Sequence, residues 1–285
     1  MSRKFKSLFL GIMSLIMSVP AFGEVNAELP GKNENPIVIP LWEEMAPTFS
    51  NGETADAALY VFPASEPNGM ALLMCPGGAY SHLAFSHEGT DLAPFLNHEG
   101  ITLAVLKYRM PNGNFNVPTE DARRALQILD SRADEWEIDR NKIGIGGASA
   151  GGHLASTVAT HKQDDMPPLK FQVLFYPVIS MKDGITHEGS KRSLLGENPS
   201  EELQILYSNE FQVTSDTPPA FIMVSADDDI VPVENSLFYF QNLNDKTGGS
   251  SLHIYPTGGH GWGAGQNFPY AALWREELLA WLKTL

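Results

Sequence analysis

Apolar and β-branched positions fall into short runs separated by stretches with helical spacing. That is the pattern of strands feeding crossover helices, and it predicts an α/β fold with a mainly parallel sheet. The runs are ALYVF (58–62), MALLMC (70–75), TLAVLKY (102–108), KIGIG (142–146), FQVLFY (171–176), AFIMVS (220–225) and SLHIY (251–255). Most are apolar throughout, as strands covered by helices on both faces must be. The first two flank PASEPNG, whose Asn68-Gly69 suits a tight turn, so that edge is predicted to be an antiparallel pair. Between the runs, Ala122, Ala125, Leu126 and Leu129 place one apolar stripe on a helix over 119–133. Leu237, Phe240, Gln241 and Leu243 mark another over 234–245. A helix starting near Asp91 would hold Pro94 in its first turn, where a missing N–H costs little. The segment from Ser180 to Thr217 is polar and longer than an ordinary connection, which predicts a lid or a binding wall.

The first residues add a destination. Arg3, Lys4 and Lys6 precede an uncharged apolar run from Leu8 to Val19 and small residues at Ala21 and Gly23, the pattern of a secretory signal peptide. Cleavage is expected after Gly23, with Ala27 as a second candidate, and export to the periplasm or the medium follows. The run is shorter than the roughly 20 residues a bilayer span needs, so no membrane anchor is expected. Residues 24–285 then read as one catalytic-size α/β domain, because no linker, repeat or low-complexity tract divides them. The whole chain has 19 basic and 34 acidic residues; loss of Arg3, Lys4 and Lys6 leaves 16 against 34, a formal charge of −18. Nucleic acid and anionic membranes require a basic face, so neither is an expected partner. The single cysteine, Cys75, ends an apolar run and reads as a buried small hydrophobe.

Candidate chemistry centres on IGIGGASAGGHLA (143–155), where Gly144, Gly146, Gly147, Gly151 and Gly152 crowd one serine, Ser149. Glycine inside regular structure costs about 0.5–1 kcal/mol relative to alanine, so the crowding asks for a steric reason. If KIGIG is a strand and GGHLASTVA begins a helix, Gly147-Ala148-Ser149-Ala150-Gly151 is a G-x-S-x-G nucleophile elbow. A serine hydroxyl then needs a base and the base needs a carboxylate, in the chain order serine, acid, histidine. ADDDIVPVENS follows the strand AFIMVS, and PTGGHGWG follows SLHIY. His260, flanked by glycines, can reach the serine; one of Asp227, Asp228 and Asp229 can face the histidine. CPGGAYSHL follows the strand MALLMC, where the oxyanion loop of such a fold lies. The expected donors are the N–H groups of Gly78, Ala79 and Ala150. Tyr80 and Trp262, beside these loops, are candidate aromatic surfaces for a sugar or aryl group. His153 reads as a structural hydrogen bonder and His253 as a packed or edge strand residue; His82, His87 and His98 lack metal-ligand spacing, so no metal is expected.

These stretches also carry a family resemblance. MCPGGAY, HEGTDLAPFL, VLKYRMP, DARRALQILDSRADEWEIDRNKIGIGGASAGGHLAS, FYPVIS, SADDDIVPVENSLFYFQNL and IYPTGGHGWG resemble the secreted bacterial acetyl-xylan and feruloyl esterases of the α/β-hydrolase superfamily, relatives of hormone-sensitive-lipase and prolyl-oligopeptidase-like esterases. The likeness covers nearly everything after the signal peptide, IPLWEEMAP included. It implies an α/β-hydrolase fold and a serine carboxylesterase removing acetyl, or feruloyl, groups from xylan or its oligosaccharides, with no cofactor. It also implies Ser149 as nucleophile, His260 as general base and Asp228 as the acid. Two rivals predict other features: a serine exopeptidase of this type carries an extra propeller or cap domain, and a non-catalytic relative lacks a member of the triad.

Overall fold

The computed structural model describes residues 35–42 and 56–285. The expected signal peptide therefore lies outside the described residues, as do residues 43–55. Among the described residues one sheet is formed by β1 (Ile37–Pro40), β2 (Ala58–Phe62), β3 (Ala71–Cys75), β4 (Thr102–Lys107), β5 (Ile143–Ala148), β6 (Phe171–Phe175), β7 (Ala220–Ser225) and β8 (Ser251–Tyr255). Their order is β1-β2-β4-β3-β5-β6-β7-β8. The β1–β2 and β2–β4 pairs are antiparallel; every pair from β4 to β8 is parallel.

Each predicted run forms a strand, but the predicted pairing of the first two does not occur. β4 lies between β2 and β3. All five residues of β3 are buried, so this strand needs neighbours on both edges and cover on both faces. A parallel crossover supplies β4 beside it, and β2 closes on the outer edge of β4. The Asn68-Gly69 turn is used elsewhere: Asn68 N–H donates to the Gly100 carbonyl (2.8 Å) and Asp139 N–H to the Gly69 carbonyl (2.9 Å). β1 was not predicted, being four residues long and largely exposed.

Side chains alternate between two cores. Ala71, Leu73 and Cys75 of β3 face one core and Leu72 and Met74 the other. The first core packs under α2 (Asn116–Ser131), α3 (Ala150–Thr160) and α6 (Glu234–Lys246); the second packs under α1 (Ala93–His98) and α7 (Ala271–Leu282). Ala122, Ala125, Leu126 and Leu129 of α2 are fully buried, as their spacing predicts. Pro94 stands in the first turn of α1. On α6 the predicted stripe holds in part: Leu243 is buried and Phe240 packs against the first core, but Leu237 and Gln241 are exposed, and Ser236 and Tyr239 face inward instead. Tyr239 buries its polar end because its hydroxyl donates to Gln172 Oε1 at 3.0 Å. Cys75 is wholly buried, and burial pushes its thiol far above the ordinary range.

The 180–217 segment carries α4 (Glu188–Leu195) and α5 (Glu201–Leu206) and is tied down by buried polar groups. Asn235 of α6 accepts from the N–H groups of Ile179 and Ser180, each at 2.9 Å. Asn209 Nδ2 donates to the His153 carbonyl (3.2 Å), Ser156 Oγ (2.7 Å) and Thr157 Oγ1 (3.0 Å) on α3. His153 Nε2 donates to the Tyr207 carbonyl (2.8 Å), which leaves Nδ1 to accept from the Tyr80 hydroxyl (2.9 Å). His153 is therefore the structural hydrogen bonder its position predicted. Satisfied networks of this kind rigidify what they join.

Burial lowers the pKa of His153 from 6.5 to about 4, against the opposing pull of the Tyr207 carbonyl. The unfolded chain takes up a proton at this imidazole below about pH 6.5, and the folded protein does so only near pH 4. Stability should thus fall as pH drops through that window, by up to roughly 3 kcal/mol. Urea unfolding of the wild type and His153→Gln at pH 7 and pH 4 checks this. The variant keeps a donor for Tyr207 and an acceptor for Tyr80 but cannot titrate, so it should lack that share of the acid loss.

Candidate active site

β5 ends at Ala148 and α3 begins at Ala150, leaving Ser149 alone in the turn between them. Its φ of +52° and ψ of −122° are costly for a residue with a side chain and persist only where the surroundings enforce them. Enforcement comes from hydrogen bonds and from contact. Ser149 N–H donates to the Phe175 carbonyl (3.0 Å), and its carbonyl accepts from Val178 (3.0 Å) and His153 (3.2 Å). A Cβ at Gly147 would lie 2.1 Å from the Gly151 carbonyl oxygen, and one at Gly151 would lie 2.0 Å from that of Cys75. Glycine crowding around the serine thus has its steric reason: the first turn of α3 lies directly on neighbouring backbone.

The loop after β8 brings His260 to this turn. Nε2 of His260 is 2.9 Å from Ser149 Oγ, and Nδ1 is 2.7 Å from Asp228 Oδ2. A carboxylate accepts from Nδ1–H, so the lone pair lies on Nε2, facing the serine hydroxyl. Asp228 is held in turn: its Oδ1 accepts from Ile230 N–H (3.0 Å) and Val231 N–H (2.9 Å). Its side chain is fully buried, whereas that of His260 is 14 % exposed. Asp227 does different work, accepting from Gly259 N–H at 2.8 Å and so bracing the histidine loop. Asp229 is exposed.

The 77–80 loop passes against the serine turn. A Cβ at Gly77 would lie 2.9 Å from Ser149 Cβ. Gly78, Ala79 and Tyr80 follow with φ of +125°, +55° and +57°. Gly77 N–H donates to Glu88 Oε2 (2.9 Å). The N–H groups of Gly78, Ala79 and Ala150 have no hydrogen-bond acceptor among the described residues.

Burial corrects both expected aromatic surfaces. Tyr80 is 1 % exposed and spends its hydroxyl on His153. Trp262 is 8 % exposed, donates from Nε1 to Ser225 Oγ (3.1 Å) and stacks on Phe268 with centroids 4.0 Å apart. Both are packing groups beneath the loops and offer no face to a ligand. His253 packs on Phe221 at the sheet edge, its ring paired with Glu277 and Ser251.

Three side chains near the triad were not singled out from sequence. Tyr176, just past β6, packs its ring against His260 with centroids 4.6 Å apart. Its hydroxyl donates to buried Glu88. His187 caps α4, accepting from Ser190 N–H. Burial, then the charge of nearby His260, lowers the His187 pKa, while Asp228 opposes the shift. Glu88 and Tyr176 stand in HEGTDLAPFL and FYPVIS, but no local pattern distinguishes them from core polar residues. Among the described residues no group of three or more His, Cys, Asp and Glu side chains could hold a metal ion, and no helix is long and apolar enough to cross a membrane.

Such a hydroxyl, imidazole and carboxylate on a mainly parallel sheet define an α/β-hydrolase. The BD-FAE family model matches residues 59–243, and the chain belongs to that family. It is 36 % identical over 242 residues to an acetylxylan esterase of Xylanibacter ruminicola, covering 84 % of this chain and 50 % of that protein. It is 35 % identical over 204 residues to endo-1,4-beta-xylanase B of Butyrivibrio fibrisolvens, covering 67 % and 32 %. The chain thus spans about half the length of the first relative and a third of the second. The crystal structure of an acetyl ester-xyloside bifunctional hydrolase from Caldicellulosiruptor lactoaceticus matches with a TM-score of 0.81 and 37 % identity, over 88 % of this chain and 96 % of that one.

The three aspartates are separable by experiment. With 4-nitrophenyl acetate, Asp228→Asn is expected to lower kcat about 10³- to 10⁴-fold, because the wrong tautomer then faces Ser149. Asp227→Asn should cost about tenfold or less, and Asp229→Asn should leave kcat unchanged; a largest loss at either would reassign the acid.

Proposed function

We propose that this chain is an exported serine carboxylesterase that removes acetyl groups from xylan or xylo-oligosaccharides. The single observation that carries the chemistry is His260 Nε2 at 2.9 Å from Ser149 Oγ, with Asp228 behind it. Ser149 attacks the acetyl carbonyl while His260 takes its proton. The developing oxyanion accepts from the N–H groups of Gly78, Ala79 and Ala150, each such donor being worth about 100- to 1000-fold in rate. The sugar alcohol leaves with the proton held on His260. Water then repeats the sequence on the acetyl-serine and releases acetate. Export is part of the proposal and is supported by the basic and apolar pattern of residues 1–23.

The substrate class is supported by the relatives, and we read the 180–217 segment as a fixed wall for the sugar. A groove of about 520 Å³ on it is lined by Lys182, Asp183, Glu201, Gln204, Ile205 and Phe211. Carboxylates, an amide and an ammonium beside one aromatic face suit sugar hydroxyls and the apolar face of a pyranose. Phe211 is 49 % exposed, and Lys182 Nζ lies 5.4 Å from its ring centre.

Ser149→Ala is expected to abolish hydrolysis of 4-nitrophenyl acetate with unchanged far-UV and near-UV circular dichroism; retained turnover would remove Ser149 from the mechanism. Acetate release from acetylated xylo-oligosaccharides should exceed both ferulate release and deacetylation of amino sugars. Phe211→Ala should raise KM for the acetylated oligosaccharide about two- to tenfold, the range expected of one lost aromatic contact. The same variant should leave 4-nitrophenyl acetate kinetics unchanged; equal effects on both substrates would place the sugar elsewhere.

A further inference from the structure

Glu88 is a carboxylate buried to 3 % exposure that takes no part in the triad, and each of its oxygens is committed to a different catalytic loop. Oε2 accepts from Gly77 N–H at 2.9 Å, at the start of the turn that carries the Gly78 and Ala79 donors. Oε1 accepts from the Tyr176 hydroxyl at 2.8 Å. That hydroxyl accepts in turn from Gly263 N–H at 2.8 Å, three residues past His260. Ala264 N–H reinforces the join by donating to the His87 carbonyl at 2.7 Å. There is no slack at either end, since a Cβ on Gly77 would lie 2.5 Å from Glu88 Oε2 and one on Gly263 would lie 2.2 Å from the His87 carbonyl oxygen.

The direction of every bond is determined. Gly77 and Gly263 can only donate from their N–H groups, so the Tyr176 hydroxyl accepts from Gly263 and donates to Glu88. Burial, then the neighbouring carboxylate, raises the Tyr176 pKa, so its hydroxyl keeps its proton for Glu88. Tyr176 also lies with its ring on His260, 4.6 Å between centroids.

Resting on the esterase reading above, we propose that Glu88 and Tyr176 are positioning residues that hold the oxyanion loop and the histidine loop in register across Ser149. One carboxylate fixes the distance between the site that receives negative charge and the base that receives the proton. A misplacement of about 1 Å at such groups can cost about 100-fold in rate. The clamp therefore acts on the transition state, where the oxyanion exists, and little on the bound ester.

The test uses Glu88→Gln, Tyr176→Phe and the double variant in the full chain, with 4-nitrophenyl acetate as substrate and phenylboronic acid as tetrahedral probe. Glu88→Gln keeps the shape but turns one acceptor into a donor, which must oppose either Gly77 N–H or the Tyr176 hydroxyl proton. Each single variant should lower kcat about tenfold or more with KM within twofold, and should weaken boronate inhibition by a similar factor. The double variant should be no worse than about threefold below the poorer single one, because both changes cut the same chain. Additive losses, a loss confined to KM, or unchanged boronate affinity would overturn the clamp. Tyr176→Phe, which adds no atoms, decides the matter should Glu88→Gln not fold. If Ser149→Ala retained activity, the esterase reading would fail instead, whatever these variants did.

Discussion

The first turn of α3 lies against the end of β5 on one side and the end of β3 on the other, so that neither Gly147, which faces that turn, nor Gly151, which faces β3, can carry a side chain. This backbone-on-backbone approach sets the rest of the site. It forces Ser149 into a strained conformation, and the hydrogen bonds from the 175–178 backbone hold it there. The same approach sets the 77–80 loop beside the serine, because that loop is the direct continuation of β3. Ser149 and the 77–80 loop thus share one rigid contact between adjacent parallel strands. His260 comes from a more distant strand, and its placement depends on longer connections through Asp227, Asp228 and Tyr176.

The polar interior serves the same end. α6 spends the Asn235 amide and α3 the His153 imidazole on the 180–217 segment, and Asn209 of that segment donates back to α3, so the segment is fixed at several points. The conformational entropy of ordering this segment is therefore lost in folding. The overall negative charge acts against adsorption to anionic surfaces.

Much of this was legible in the sequence because the relevant signals are local. A run apolar on both faces becomes a buried strand, and a serine between such a run and a small-residue helix can stand in only a few backbone shapes. The order of acid and histidine after consecutive strands was readable for the same reason. Pairing of β2 was not, since it depends on which edge of β4 remains free after the β3–β4 crossover. The α6 face is only half legible, because Tyr239 and Ser236 count as polar until their buried surroundings are known. The burial of Tyr80 and Trp262 is illegible for a related cause: an aromatic beside a loop residue in the chain can point beneath the loop as easily as above it. Glu88 gave no signal, since the groups it joins are far apart in sequence.

The lone thiol of Cys75 ends β3 directly under the oxyanion loop, fully enclosed and far from ionising. Without thiolate character it neither exchanges with disulfides nor oxidises readily once the chain is folded. The same atom is a built-in reporter: an alkylating reagent can reach it only when the strand beneath the active site opens, so the labelling rate measures how often that scaffold breathes.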